Sequence, residues 1–173
     1  MNRLLRIPNW LLFILIITIP NLFQETDYGI YIHIIFGLLL VFWMIKVGEE
    51  MHIRIDGKTS LNLNLYVAGL FFAVTYFSLI FLLTDGYSIS TEKDNFAEYG
   101  NLTYVYTAGH LISFLAFLYG LHFTASCIQT LDKQLFGNKT SYNLLLASLF
   151  FFPIWIWWTQ PKINRILKTP VEV

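Results

Sequence analysis

Residues 151–166, FFPIWIWWTQPKINRI, decide how many times the chain meets a membrane. The run is apolar and Trp-rich as far as Trp158, contains Pro153, meets Pro161 and passes directly to Lys162 and Arg165. As a helix, residues 142–158 would measure about 25 Å, enough for a thin bilayer with little to spare. A crossing from a cytoplasmic start would leave Lys162, Arg165 and Lys168 outside. A return to the inner face would put them among anionic headgroups and hold Trp155, Trp157 and Trp158 at the interface, where such rings anchor. The stretch therefore predicts a Pro-kinked, membrane-embedded fifth helix, without deciding on which face its cations end.

The rest of the chain sets the class. Of 173 residues, 56% are hydrophobic and 13% charged, and the mean hydropathy is +0.58; a typical soluble domain is about 25% charged. An all-α, polytopic membrane helix bundle follows, one integral membrane domain over 1–173 with no repeat or linker. Four firm spans are predicted at 10–23, 28–47, 61–83 and 104–128, against the roughly 20 residues a crossing needs. The first is short and, with Arg3 and Arg6 before it, resembles a signal peptide. The residues after Pro20 are too bulky and polar for a cleavage site, so an uncleaved anchor is expected. With 11 basic and 11 acidic residues in balance, no global field points to nucleic acid as a partner. The lipid bilayer is the partner expected first.

Loop charge sets the orientation. With the N-terminus cytoplasmic, inner connections carry Arg3, Arg6, Lys46, Arg54, Lys58, Lys133 and Lys139, and outer ones only Lys93. That bias follows the positive-inside rule and predicts an inner (cytoplasmic) membrane protein with its N-terminus inside. The one long loop, DGYSISTEKDNFAEYGNLT at 85–103, reads as a solvated outer connection and the candidate external contact surface.

Small residues predict how the helices meet. Gly109, Ser113, Ala116, Gly120, Thr124 and Cys127 recur at spacings of three and four on the fourth span, a face that lets another backbone approach closely. The third span offers Gly69 and Ala73, and the second Gly29, His33 and Gly37. A compact bundle with the fourth helix central follows, and the same faces suit contact with other membrane subunits. Cys127 reads as a small buried residue.

Ionisable groups inside a membrane are expensive and often functional, so the histidines are the candidate site. His33 and His110 lie at nearly one depth on two parallel spans, the arrangement a single bis-imidazole haem requires. His122 has no matching deep partner for a second haem. The alternative is that each ring bonds a carbonyl or hydroxyl of a neighbouring helix. Glu49 and His52 have half-site metal spacing without the second motif a di-metal site needs; Glu50 and Arg54 are set to pair at i, i+4. No residue set supplies a nucleophile with its base, so no enzyme and no catalytic residue is expected. No cofactor is required, haem being the one that would fit.

The opening RIPNW and the closing FFPIWIWWTQPKINRI resemble the ends of a family of small multi-pass membrane proteins of Bacteroidota, whose ending reads Phe-Phe-Pro-Ile-Gly-Ile-Trp-x-x-Gln-Pro-Lys/Arg-Ile-Asn-Lys. HLISFLAFLYGLHFTASCIQTL at 110–131 resembles that family's preceding span. Here Trp155 stands where the family usually has Gly. The resemblance implies architecture and a bacterial inner membrane, and brings no activity with it. The leading expectation is a non-enzymatic accessory or scaffold subunit, with a single-haem electron-transfer subunit or a channel or carrier as alternatives.

Overall fold

The computed structural model describes residues 8–26, 28–55, 59–83, 101–137 and 140–169, with the side chains of 101–103 and 152–155 outside that description. Among the described residues every regular element is helical: α1 Asn9–Leu22, α2 Gly29–Arg54, α3 Leu63–Leu83, α4 Asn101–Phe136, α5 Tyr142–Phe150 and α6 Phe152–Lys168. Three of them, α2, α3 and α4, are long and apolar enough to cross a membrane.

The expected first and fifth spans come out differently. Helix α1 is shorter than those three, about 21 Å long at the helical rise. Its centre, Ile14–Thr18, is π-helical. Pro20 accounts for this: it brings no N–H, and its ring crowds the carbonyl four residues back, so the turn widens. The expected single fifth helix is two helices broken at Phe151 (φ −96°, ψ 33°). The break falls before Pro153, which sits in the first turn of α6, where a missing N–H costs nothing. Pro161, where the apolar run meets the cations, lies inside α6, which continues to Lys168.

Helix ends follow local chemistry. Helix α2 runs past the expected end at 47 to Arg54, carried by Lys46–Glu49 at 2.6 Å and the expected Arg54–Glu50 pair at 3.1 Å. Asn62 caps α3, its Oδ1 accepting the Leu65 N–H at 3.0 Å, which satisfies one orphan donor of the first turn. Helix α4 extends beyond 128 to Phe136 and closes at Gly137, whose φ of 66° is left-handed and suits glycine.

Helix α4 is central, as expected: 44% of its apolar window is buried, against 22% for α2 and for α3. The core gathers at one end of the bundle, called here the base, where α2 and α4 terminate. It joins Trp43, Val47 and Met51 of α2, Tyr66 and Leu70 of α3, Phe123, Ile128 and Leu131 of α4, Leu145 of α5 and Ile156, Ile163 and Ile166 of α6. Toward the other end Tyr31, Ile35, Phe71, Phe72, Leu111 and Leu115 are exposed, an apolar belt of the kind a bilayer covers.

Candidate functional site

The densest polar cluster lies at the base, around Asp132 on α4. Its carboxylate is fully buried and accepts from the Arg165 guanidinium at 2.6 Å, from the Lys162 ammonium at 3.4 Å and from the Thr140 hydroxyl. Lys162 also donates to Thr140 Oγ1 at 2.7 Å, and Gln129 Nε2 donates to the Thr140 carbonyl at 3.1 Å. The two cations rest on rings, Lys162 over Trp158 at 4.7 Å and Arg165 over Phe136 at 4.0 Å. A buried carboxylate is tolerable only when paired and hydrogen-bonded. Here that pairing ties α4, the segment leading into α5, and α6 at one level. Lys162 and Arg165, expected as interfacial anchors, are thus also tied to Asp132 of α4, with the Arg165 side chain still 47% exposed.

Arg54 makes the second tie. Its guanidinium donates to the carbonyls of Ile166 (3.1 Å), Leu167 (3.1 Å) and Thr169 (3.0 Å), capping the last turn of α6, where carbonyls lack helical partners. A cation there also meets the negative end of the helix dipole. Arg54→Ala is expected to lower the local opening free energy of residues 163–168 by about 1.5–3 kcal/mol, read as faster amide exchange of that turn alone. Arg54→Lys should fall between, since a point charge cannot reproduce the fork.

Above this cluster, Tyr66 crosses from α3 to α2. Its hydroxyl donates to the Met44 carbonyl at 2.5 Å and lies 3.4 Å from Thr124 Oγ1, while its ring stacks on Phe123 at 4.1 Å. Gly48 makes room for it: a Cβ at that position would fall 2.5–2.7 Å from the ring and hydroxyl. The expected α4 face is used inside the chain. Gly109 meets Tyr76, Ala116 meets Gly69, and Gly120 meets Leu70; Ser113, Thr124, Cys127 and, on α3, Ala73 are buried. Gly29 lets the chain at Phe23 and Gln24 pass close, whereas Gly37 faces open space.

The histidines are held by different groups. His33 Nδ1 lies 2.8 Å from the Gly29 carbonyl of its own helix, so Nδ1 carries a proton that it donates to that carbonyl. His110 Nδ1 lies 2.7 Å from Tyr76 Oη and 3.1 Å from the Tyr106 carbonyl, and Tyr76 Oη is itself 2.8 Å from that carbonyl, so the three groups form one hydrogen-bonded cluster. Tyr76, Phe77 and Tyr106 wall the His110 ring at centroid distances of 5.1, 5.7 and 4.1 Å. His122 pairs with the Tyr142 hydroxyl at 2.6 Å. Glu49 turns to Lys46, and His52 packs at 5.6 Å from Phe123. Among the described residues no group of three or more potential metal ligands converges.

Of the expected aromatic anchors, Trp157 is half exposed and packs on Phe13 of α1 at 4.8 Å. Trp158 carries Lys162, and the Trp155 side chain, like the loop residues 85–100, lies outside the described residues. Sequence reasoning missed Asp132, Thr140, Gly48 and Tyr66. A lone acid among inner cations and a glycine outside any repeat were the available signals, and each takes its meaning from a partner on another helix. Comparison of the chain with protein-family models, curated proteins and solved structures finds no match, so the resemblance to the Bacteroidota family rests on its motifs alone.

Proposed function

We propose that the protein is a non-enzymatic accessory or scaffold subunit of a bacterial inner membrane, with its N-terminus and the base of the bundle on the cytoplasmic side. The observation that supports this reading best is where the polar groups are spent. Asp132, Lys162, Arg165 and Arg54 hold helices together, while the half of the bundle away from the base offers a broad aromatic and aliphatic surface. Such a surface suits lipid and the helices of other subunits. Among the described residues, Arg54 and Lys133 at the ends of α2 and α4 and Lys162, Arg165 and Lys168 of α6 lie at the base, which supports the orientation.

A second reading, a single-haem electron-transfer subunit, draws on His33 and His110, whose Nδ1 atoms are both engaged by protein groups, as the second ring nitrogen of an axial ligand usually is. A haem between them would have to displace the rings of Tyr76 and Phe77 from His110. One preparation tests both readings. Purification in mild detergent should bring down another membrane subunit with no Soret or α-band in the reduced-minus-oxidised spectrum. A clean monomer would overturn the accessory reading, and a Soret band lost in His33→Ala would favour the haem.

A further inference from the structure

We propose that the α5–α6 hairpin is a re-entrant element: it enters the bilayer from the base, turns among the acyl chains of that leaflet and returns its cations to the phosphates of the same leaflet. The geometry of its two ends carries this. Thr140, just before α5, and Lys162, ten residues into α6, touch at 2.7 Å, so the chain between them goes out and comes back. Arg54 holds the end of α6 level with the end of α2. Ten residues of α6 rise about 15 Å, which is half of the roughly 30 Å hydrocarbon core.

The turn is built for an apolar surrounding. Residues 149–158, LFFFPIWIWW, contain no polar side chain beyond the tryptophan indoles, and at the tip Phe150 and Phe151 are 45% and 51% exposed. In lipid an open backbone donor costs several kcal/mol. A break of one residue exposes few of them: the Phe151 N–H bonds the Ala147 carbonyl at 3.0 Å, and Pro153 removes a donor from the first turn of α6. In water such a tip would be an exposed aromatic patch without a purpose.

The occupant of that apolar tip is phospholipid rather than a second copy of the chain, because the same hairpin carries the matching charge. Arg165 and Lys168 are exposed at its base, about 21 and 26 Å from the tip along α6, where the phosphates of that leaflet lie. The inference concerns placement of the hairpin and holds whether or not other subunits bind.

Single-cysteine reporters in a Cys127→Ser background test it in vesicles of phosphatidylethanolamine and phosphatidylglycerol. Val171→Cys should react with an impermeant maleimide from the same side as Ser60→Cys, in the link at the base, and opposite to Gln24→Cys at the far end. Reaction from the Gln24 side would establish a crossing and overturn the proposal. A spin label on Phe151→Cys should be relaxed by oxygen and protected from a water-soluble nickel complex. Nickel access would put the tip in water. Strong label–label coupling between chains would put a second copy there. Either result overturns the lipid assignment.

Discussion

Asp132→Ala is expected to release the C-terminal hairpin from α4 and to cost about 2–4 kcal/mol of stability in detergent, near the lower part of the range for breaking a buried ion pair. The lower part applies because the partners keep access to water: the Lys162 and Arg165 side chains are 15% and 47% exposed. What is lost is a carboxylate that meets both cations and Thr140, and with it the tie that sets α5 and α6 against α4. The signature is therefore local as well as global. Amide exchange should rise through 142–168 while α2 and α3 keep their protection where they pack on each other. Asp132→Asn, which retains one acceptor, should lose less than half as much as alanine. A uniform loss of protection across all helices would show that Asp132 supports the whole bundle rather than the hairpin.

Gly48→Ala is expected to destabilise by about 1–3 kcal/mol, the cost of forcing a methyl into a filled core, although alanine is the better helix former. The added Cβ would meet the Tyr66 ring and hydroxyl under 3 Å. Relief requires Tyr66 to move away from Met44 and Phe123, giving up the hydrogen bond and the stack together. Gly37→Ala on the same helix is the internal control. Nothing lies within 4 Å of its Cβ, so it should be neutral or stabilising by up to about 1 kcal/mol. Thermal unfolding of both variants in one detergent, followed by tryptophan fluorescence, makes the comparison. Equal effects at the two positions would remove the Tyr66–Gly48 contact as the cause.

The two glycines show what a sequence conveys and what it withholds. Gly29 and Gly37 stood out because they flank His33 at i ± 4, and periodicity is a property of one helix. Gly48 has no such company, and its role is set by a tyrosine eighteen residues away on α3. Asp132 is a similar case. Read alone it belongs to an inner loop, and only the extension of α4 to Phe136 makes it a buried helix residue. The α4 small-residue stripe was legible in kind, and its partners Gly69 and Leu70 became known only from the antiparallel contact of α3 with α4.

Of the four expected spans and fifth helix, three helices are long and apolar enough to cross; by itself the sequence determined an all-helical chain of long apolar segments suited to a membrane, the central place of α4, the buried Cys127 and the Glu50–Arg54 pair. Each depends on composition or on spacing within one helix. Tertiary structure decided that 142–168 forms a hairpin broken at Phe151 rather than one kinked rod. Helix length and hydropathy score a segment for crossing equally well whether it is straight or folded back. The difference lies in contacts between distant residues, Lys162 with Thr140, Arg165 with Asp132 and Arg54 with the last carbonyls of α6, and no local pattern encodes these.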